Sequence, residues 1–323
     1  MEDISIKEKI LKSINPVIKN SSSVRIDNSR ISFLAKKLEK YPVPCWDNIL
    51  QFLGNSEETV QYYFLLDSIN FCFWNVRGKE RWQFEKDGEW MHGYYAFSYA
   101  IKKAFLADKK LFDAAYLSVI TFDNFLQIFK GRGELLLLKD RHRIIRENFK
   151  ILQEKYNGKT LNLVMAGEND VNKLVELIIQ DFPTFRDYCE FKGQRAYFLK
   201  RAQLFASDIN YAFQGKDYGY FNNMEDLTIF ADYKLPQFLE LEGALVYNEK
   251  LKNKIANYEL IERNSEEEIE IRANTIYICE LLLAELNKLG RKLTSNNLDW
   301  ILWVLSQENK PRLPYHRVIT TNY

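Results

Sequence analysis

Apolar residues recur at three- and four-residue spacing along most of this chain, and that period predicts a mainly α fold with few short strands. In Ile31–Leu38 (ISFLAKKL), Ile31, Leu34 and Leu38 share one side. Ser56–Leu66 follows Asn55, a good N-cap residue, with Glu58 at the capping-box position. Gly93–Phe105 (GYYAFSYAIKKAF) is apolar around most of its surface, and the same period runs through Ala114–Phe129, His142–Tyr156, Asp170–Phe182 and Arg201–Phe213. Ser265 followed by Glu268 opens a long helix through Glu285, acidic in its first turn where the dipole favours negative charge. A final helix over Asn297–Leu305 stops ahead of Pro311 and Pro314. Strand-like pieces are Trp82–Glu85, Arg195–Phe198 and Ala244–Tyr247, and the βα rhythm of a doubly wound sheet is missing.

A chain of 323 residues can bury a substantial core. With no repeat, low-complexity tract or linker, residues 1–323 read as one compact unit, its helical N-terminal lobe ending at about residue 110. Arg77–Glu89 reads as an exposed loop or small hairpin and Gly131–Gly133 as a turn. The 45 Lys and Arg against 44 Asp and Glu exert no global pull on nucleic acid, and favour a small ligand held by a local cluster. Cys45, Cys72, Cys189 and Cys279 form no CxxC pair and read as reduced, mostly buried thiols. The first twenty residues mix both charges and lack the apolar run of a signal peptide, and no later stretch suits a bilayer, so a cytoplasmic protein without a membrane partner is expected.

Two segments carry the chemistry. LTIFADYKLPQ (Leu227–Gln237) and NNLDWILWV (Asn296–Val304) each set one aspartate, Asp232 and Asp299, in an apolar and aromatic run, where a bare carboxylate is costly unless met by a polar or cationic group. Pro236 places Asp232 in the last turn of a helix, at the unfavourable end of the dipole, so Lys234 or a bound cationic edge must compensate it; a buried structural salt bridge is the alternative. Asp299 falls near the first turn of a helix, where free amides lower its pKa and keep it charged beside Trp300 and Trp303, with plain N-terminal capping as the alternative. In Phe198–Phe213, Arg201 and Asp208 share a face with Leu204 while Lys200 sits to one side. Either this is a structural ion pair, or Lys200 or Arg201 meets a ligand phosphate or a catalytic carboxylate.

Other chemistries lack their usual support. His92, His142 and His316 have no metal-ligand spacing, and no GxSxG, GxGxxG or GxxxxGK is present, so no metal or cofactor is expected. Lys139–Lys150 mixes acids with its bases and reads as a solvated helix face. The tail Arg312–Tyr323, with Arg312, His316 and Arg317 among apolar residues, is expected to fold back over part of a pocket.

Eight ordered segments resemble the queuosine salvage family: FLLDSINFCFW (Phe64–Trp74), GYYAFSYAIKKAF (Gly93–Phe105), FPTFRD (Phe182–Asp187), KRAQLFASDINYAF (Lys200–Phe213), LTIFADYKLPQFL (Leu227–Leu239), SEEEIEIRANTIYICELL (Ser265–Leu282), LDWILW (Leu298–Trp303) and LPYHRVITTNY (Leu313–Tyr323). The resemblance spans essentially the whole chain. It implies a helical fold similar to the helix-hairpin-helix DNA glycosylases, acting on a mononucleotide and releasing queuine from queuosine 5'-monophosphate for return to tRNA. It further implies Asp299 as stabiliser of the sugar cation and Asp232 as reader of the base's donor edge, two roles that can be exchanged. On the same grounds Phe71, Trp74, Phe230 and Tyr233 would stack the base with Ala231 and Trp303 beside it, and Lys200 and Arg201 would hold the 5'-phosphate. A non-catalytic queuine- or tRNA-binding protein is the competing expectation. A DNA repair glycosylase would need a basic groove that the sequence does not supply.

Overall fold

The computed structural model describes residues 4–44, 49–308 and 313–323; Cys45, Pro311 and Arg312 lie outside them. In chain order the helices are α1 (Ile6–Lys19), α2 (Asn28–Leu38), α3 (Ser56–Ser68), α4 (Gly93–Ala107), α5 (Ala114–Val119), α6 (Phe122–Ile128), α7 (Leu138–Tyr156), α8 (Thr160–Ala166), α9 (Val171–Asp181), α10 (Lys200–Ala212), α11 (Lys234–Leu241), α12 (Glu249–Ala256), α13 (Glu266–Lys288) and α14 (Ser295–Glu308). The strands are β1 (Val24–Ile26), β2 (Gln83–Lys86), β3 (Glu89–His92), β4 (Tyr188–Phe191), β5 (Gln194–Tyr197) and β6 (Leu245–Tyr247), in antiparallel pairs β1·β6, β2·β3 and β4·β5. The mainly α expectation holds, with strands confined to these ribbons. Asp87 and Gly88, both at positive φ, close the hairpin of β2 and β3, which starts inside Arg77–Glu89, the stretch read as an exposed loop or small hairpin, and runs beyond it to His92. No helix among the described residues is long and apolar enough to cross a membrane.

The periodicity located most helices but joined two of them. Ala114–Phe129 divides at Ile120, because the Thr121 hydroxyl accepts from Asn124 N–H and starts α6 afresh. Asn55 caps α3 as expected, and Ser265 caps α13 with Glu268 reaching back to the amide of Asn264. The helices α1, α8, α11 and α12 were not foreseen as elements, nor were β1, β3 and β4.

Two helices are buried around nearly their whole circumference, as interior helices must be. Every residue of α3 from Thr59 to Ser68 is buried, and α3 packs on α4, α7, α8 and α10. Helix α13 passes through the second half of the molecule against α1, α2, α11 and α14. Their polar side chains are met inside: Glu270 of α13 accepts from the amides of Ser22, Ser23 and Val24. Between these two packed groups lie α10, α14 and the irregular stretch leading into α11, and there a cavity opens.

Candidate active site

The floor of the site is a buried stretch of backbone outside any helix or sheet. From Leu227 to Ala231 the chain is enclosed and irregular, so its amides and carbonyls need side-chain partners. Gln203 Oε1 accepts from Thr228 N–H at 2.8 Å, Asp299 Oδ1 from Phe230 N–H at 2.7 Å, and Arg272 Nε donates to the Ala231 carbonyl at 3.2 Å. Arg272 also forms a two-pronged pair with Asp187 at 2.8 and 2.7 Å, and Asp187 in turn accepts from the Lys200 amide at 3.1 Å. Leu199, at φ 53, cannot cap α10 with its own side chain, and Asp187 does so instead. One buried acid thus ties the start of α10 to the segment carrying Phe230 and Asp232.

Asp232 stands at the start of a helix, not at the end of one. Its Oδ1 accepts from the amides of Lys234 at 2.7 Å and Leu235 at 3.0 Å, capping α11. Pro236 occupies the first turn of that helix, where its missing N–H costs nothing. The dipole therefore favours the carboxylate at Asp232, the reverse of the expectation from sequence. Asp299 is corrected in the opposite direction. Thr294 Oγ1 and Asn297 cap α14 reciprocally, leaving Asp299 inside the helix and 9% exposed. Burial pushes its carboxyl well above the usual range, the nearby Asp232 adds to the rise, and the Phe230 amide and Lys200 only partly oppose it. Burial raises Asp232 too, against the pull of Lys200 and of its two amides. Each acid has Oδ1 engaged by backbone.

Both acids line one cavity of about 240 Å³. Lys200, Leu204, Asp208 and Tyr211 of α10 face it, spaced by four, four and three residues along one helix stripe. Arg201, one residue round from Lys200, points the other way: its guanidinium donates to the carbonyls of Ser68 and Thr184. That phase corrects the sequence reading, which put Arg201 with Asp208 and set Lys200 aside. Lys200 is buried, donates from Nζ to the Asn70 carbonyl at 3.0 Å, and has its pKa lowered by burial against the fields of Asp232, Asp67 and Asp299.

Aromatic walls complete the space. Phe71, Phe230, Tyr233 and Trp303 line it as expected, joined by Phe73, Tyr94, Tyr95 and Trp300. The Trp303 ring meets those of Tyr94 and Tyr95 edge-on at 5.7 and 5.3 Å, and Trp300 meets Tyr211 at 4.4 Å. Besides Arg201, two expected site residues do not reach the cavity. Trp74 is buried away from it beneath Arg317, and Ala231 contributes its carbonyl to Arg272. The tail does fold back, since the Cys72 amide donates to the Tyr323 carbonyl at 2.9 Å and Tyr323 lines the cavity. Its described basic residues do not line the cavity: Arg317 lies over the Tyr258 ring, and His316 is buried with its pKa lowered to about 3. Residues that the sequence reading missed include Asn70, Arg81, Tyr94 and Tyr95; only the aromatic start of GYYAFSYA signalled any of them. Among the described residues, no three His, Cys, Asp or Glu side chains converge as a metal site.

A ring-walled cavity in a helical protein, lined by the carboxylates of Asp208, Asp232 and Asp299 and by Lys200 and Lys234, defines a small-molecule site equipped for acid–base work. Comparison with known proteins gives the particular relationship. The queuosine salvage protein family model matches residues 50–323. A protein of Sphaerobacter thermophilus named queuosine 5'-phosphate N-glycosylase/hydrolase is 36% identical over 100% of both chains. Proteins of the same name from Mus musculus and Dictyostelium discoideum are 33% and 35% identical, over 93% and 83% of this chain and 94% and 79% of their own. This chain belongs to the queuosine salvage family.

Proposed function

We propose that this protein hydrolyses the N-glycosidic bond of queuosine 5'-phosphate, releasing queuine and ribose 5-phosphate so that the base can re-enter tRNA. The observation that carries the reading is that Asp232 and Asp299, far apart in sequence, share one aromatic cavity with Lys200. Relatives of that name, aligned over most or all of both chains, support it.

Breaking the bond between base and ribose builds positive charge on C1' and the ring oxygen, and negative charge on the departing base. Asp299 faces the sugar in this reading. Its raised pKa suits a general base, which takes a proton from the attacking water as oxygen bonds to C1' and the old bond's electrons leave with the base. The proton then passes to the base. A 7-deazapurine lacks the N7 that ordinary purines protonate on leaving, so its charge must be held through the pyrimidinone edge, which Asp232 addresses. Phe71, Phe230 and Tyr233 flank the ring, while Lys200, Lys234 and Arg81, all on the cavity surface, are the cations for the 5'-phosphate. Arg201 leaves that list because its guanidinium is committed to carbonyls. No step requires a metal or cofactor.

In this reading the whole chain acts as one domain in the cytoplasm, the N-terminal lobe supplying Asn70, Phe71 and Tyr94 to the cavity. A likeness to helix-hairpin-helix DNA glycosylases belongs to the same proposal. It is supported by the short turn through Gly290, at φ 82, that joins α13 to the helix carrying Asp299. Incubating the purified protein with queuosine 5'-phosphate and chelator tests the activity. Queuine and ribose 5-phosphate are expected in equal amounts, and an intact nucleotide with saturable binding would favour a non-catalytic binding protein.

A further inference from the structure

The mechanism above leaves one charged residue of the cavity without a task. Asp208 lies on the same α10 stripe as Lys200, lines the cavity and is only 4% exposed, yet its Oδ2 meets no hydrogen-bond donor among the described residues. Behind it stands Asp67 of α3, fully enclosed, with Oδ1 accepting from Asn70 Nδ2 at 3.2 Å and Oδ2 also without a donor. Two buried carboxylate oxygens without partners are costly, and such a pair is retained where something else arrives to meet it.

Lys200 acts on both acids through its field but donates to neither Oδ2, and the hydrogen bond it makes nearby goes to the Asn70 carbonyl. Burial, reinforced by the neighbouring Asp67, holds Asp208 well above the usual carboxylate range, and burial pushes Asp67 up to about 7. Burial thus favours the protonated form of both acids, and a cation beside them would oppose that rise. Queuine carries on C7 an aminomethyl arm with a secondary amine, a cation at neutral pH, and a ring bearing two hydroxyls. The amine is its one positive group beyond the flat ring system.

We propose that Asp208, backed by Asp67 and Asn70, forms the subsite that receives the cationic amine arm of the base, and so selects the arm-bearing 7-deazaguanine nucleotide over unmodified ones. The inference rests on the glycosylase reading and adds to it a specificity-determining residue. A charge-assisted hydrogen bond in a dry site corresponds to about ten- to hundredfold in discrimination.

The test compares kcat/KM for queuosine 5'-phosphate with that for 7-deazaguanosine 5'-monophosphate, in the native protein and in Asp208→Asn. The native ratio is expected to exceed tenfold and to fall by at least that factor in the variant. Asp208→Glu, which keeps the charge, should recover part of it. A ratio the same in Asp208→Asn as in the native protein overturns the subsite. Calorimetric binding of queuine and of 7-deazaguanine provides a second readout that needs no turnover, and it separates the two claims. If the native protein cleaves neither nucleotide, the glycosylase reading fails, whereas a queuine preference that disappears in Asp208→Asn still supports the subsite. Should Asp208→Asn not fold, Asp208→Ser carries the same expectation, and an unchanged queuine preference there overturns it.

Discussion

Replacing Asp299 by asparagine separates its hydrogen bond to the backbone from the catalytic task proposed for it. Asn keeps an oxygen to accept from the Phe230 amide, so the 2.7 Å bond that fixes the floor of the cavity survives. What is lost, in the proposed mechanism, is the negative charge opposite the sugar. A unit charge about 4 Å from a developing cation is worth ~4 kcal/mol at an effective dielectric near 20, which converts to about a thousandfold in rate. Stability should move the other way. Because burial raises the Asp299 pKa above its unfolded value, its contribution is fully present below about pH 4 and is lost as pH rises through the folded value. A neutral amide does not ionise and escapes that loss. The expected result is a single-turnover rate of queuine release down about 10³-fold, KM within a few-fold of native, and a melting temperature at pH 8 equal to or above native. A rate within tenfold of native, or equal losses in binding and rate with a lower melting temperature, would refute the assignment and leave Asp299 as a structural acceptor.

Asp232→Asn should move the acid limb of the kcat profile to lower pH, since removing its like charge lets Asp299 ionise more easily; a limb that stays in place would separate the two acids. Arg201→Lys should lower stability by a few kcal/mol in urea while leaving KM unchanged, because the guanidinium serves the Ser68 and Thr184 carbonyls, and a raised KM would return it to the substrate. Arg272→Met leaves Asp187 buried without its partner, so unfolding should become easier by about 3–5 kcal/mol, measured by urea titration. Arg81→Met should reduce kcat/KM for the 5'-phosphate by about tenfold or more and leave any cleavage of the nucleoside unaffected, which comparing the two substrates would detect.

The sequence exposed the two aspartates because each interrupts an apolar run, and an acid is conspicuous there. It could not set the phase of the helices around them. Lys200 and Arg201 are neighbours in sequence but 100° apart on α10, and which of them faces the cavity depends on where the helix starts, fixed by Leu199 in a left-handed conformation and by Asp187 from a distant segment. Pro236 was ambiguous for a related reason, since proline closes one helix and opens another with equal ease. Asp299 was read from local helix position, but the surrounding burial outweighs the dipole, and burial is a property of the assembled fold. Arg81, Tyr94 and Asn70 carry no local mark, and only tertiary packing brings them to the cavity.

A cavity carrying several acids raised by burial cannot supply its own stability, so its shape must be imposed from outside. Two buried arginines do this for the wall that bears Phe71. Arg141, with none of its side chain exposed, donates to the carbonyls of Ile69 and Phe71 and, at 3.1 Å, of Leu136, while Arg201 holds Ser68 just upstream. Both guanidiniums lie within 6 Å of the Phe71 ring, at 4.2 and 5.5 Å. Their charge is spent on backbone carbonyls at the end of α3, where the helix leaves them without partners. Burial lowers the pKa of each, to about 9 for Arg141 and about 10 for Arg201, yet both remain cations at neutral pH. The division on this wall follows from geometry: the planar guanidiniums of Arg141 and Arg201, which bridge several carbonyls at once, hold the chain, while Lys200, a compact charge, lines the cavity beside the acids together with Lys234 and Arg81.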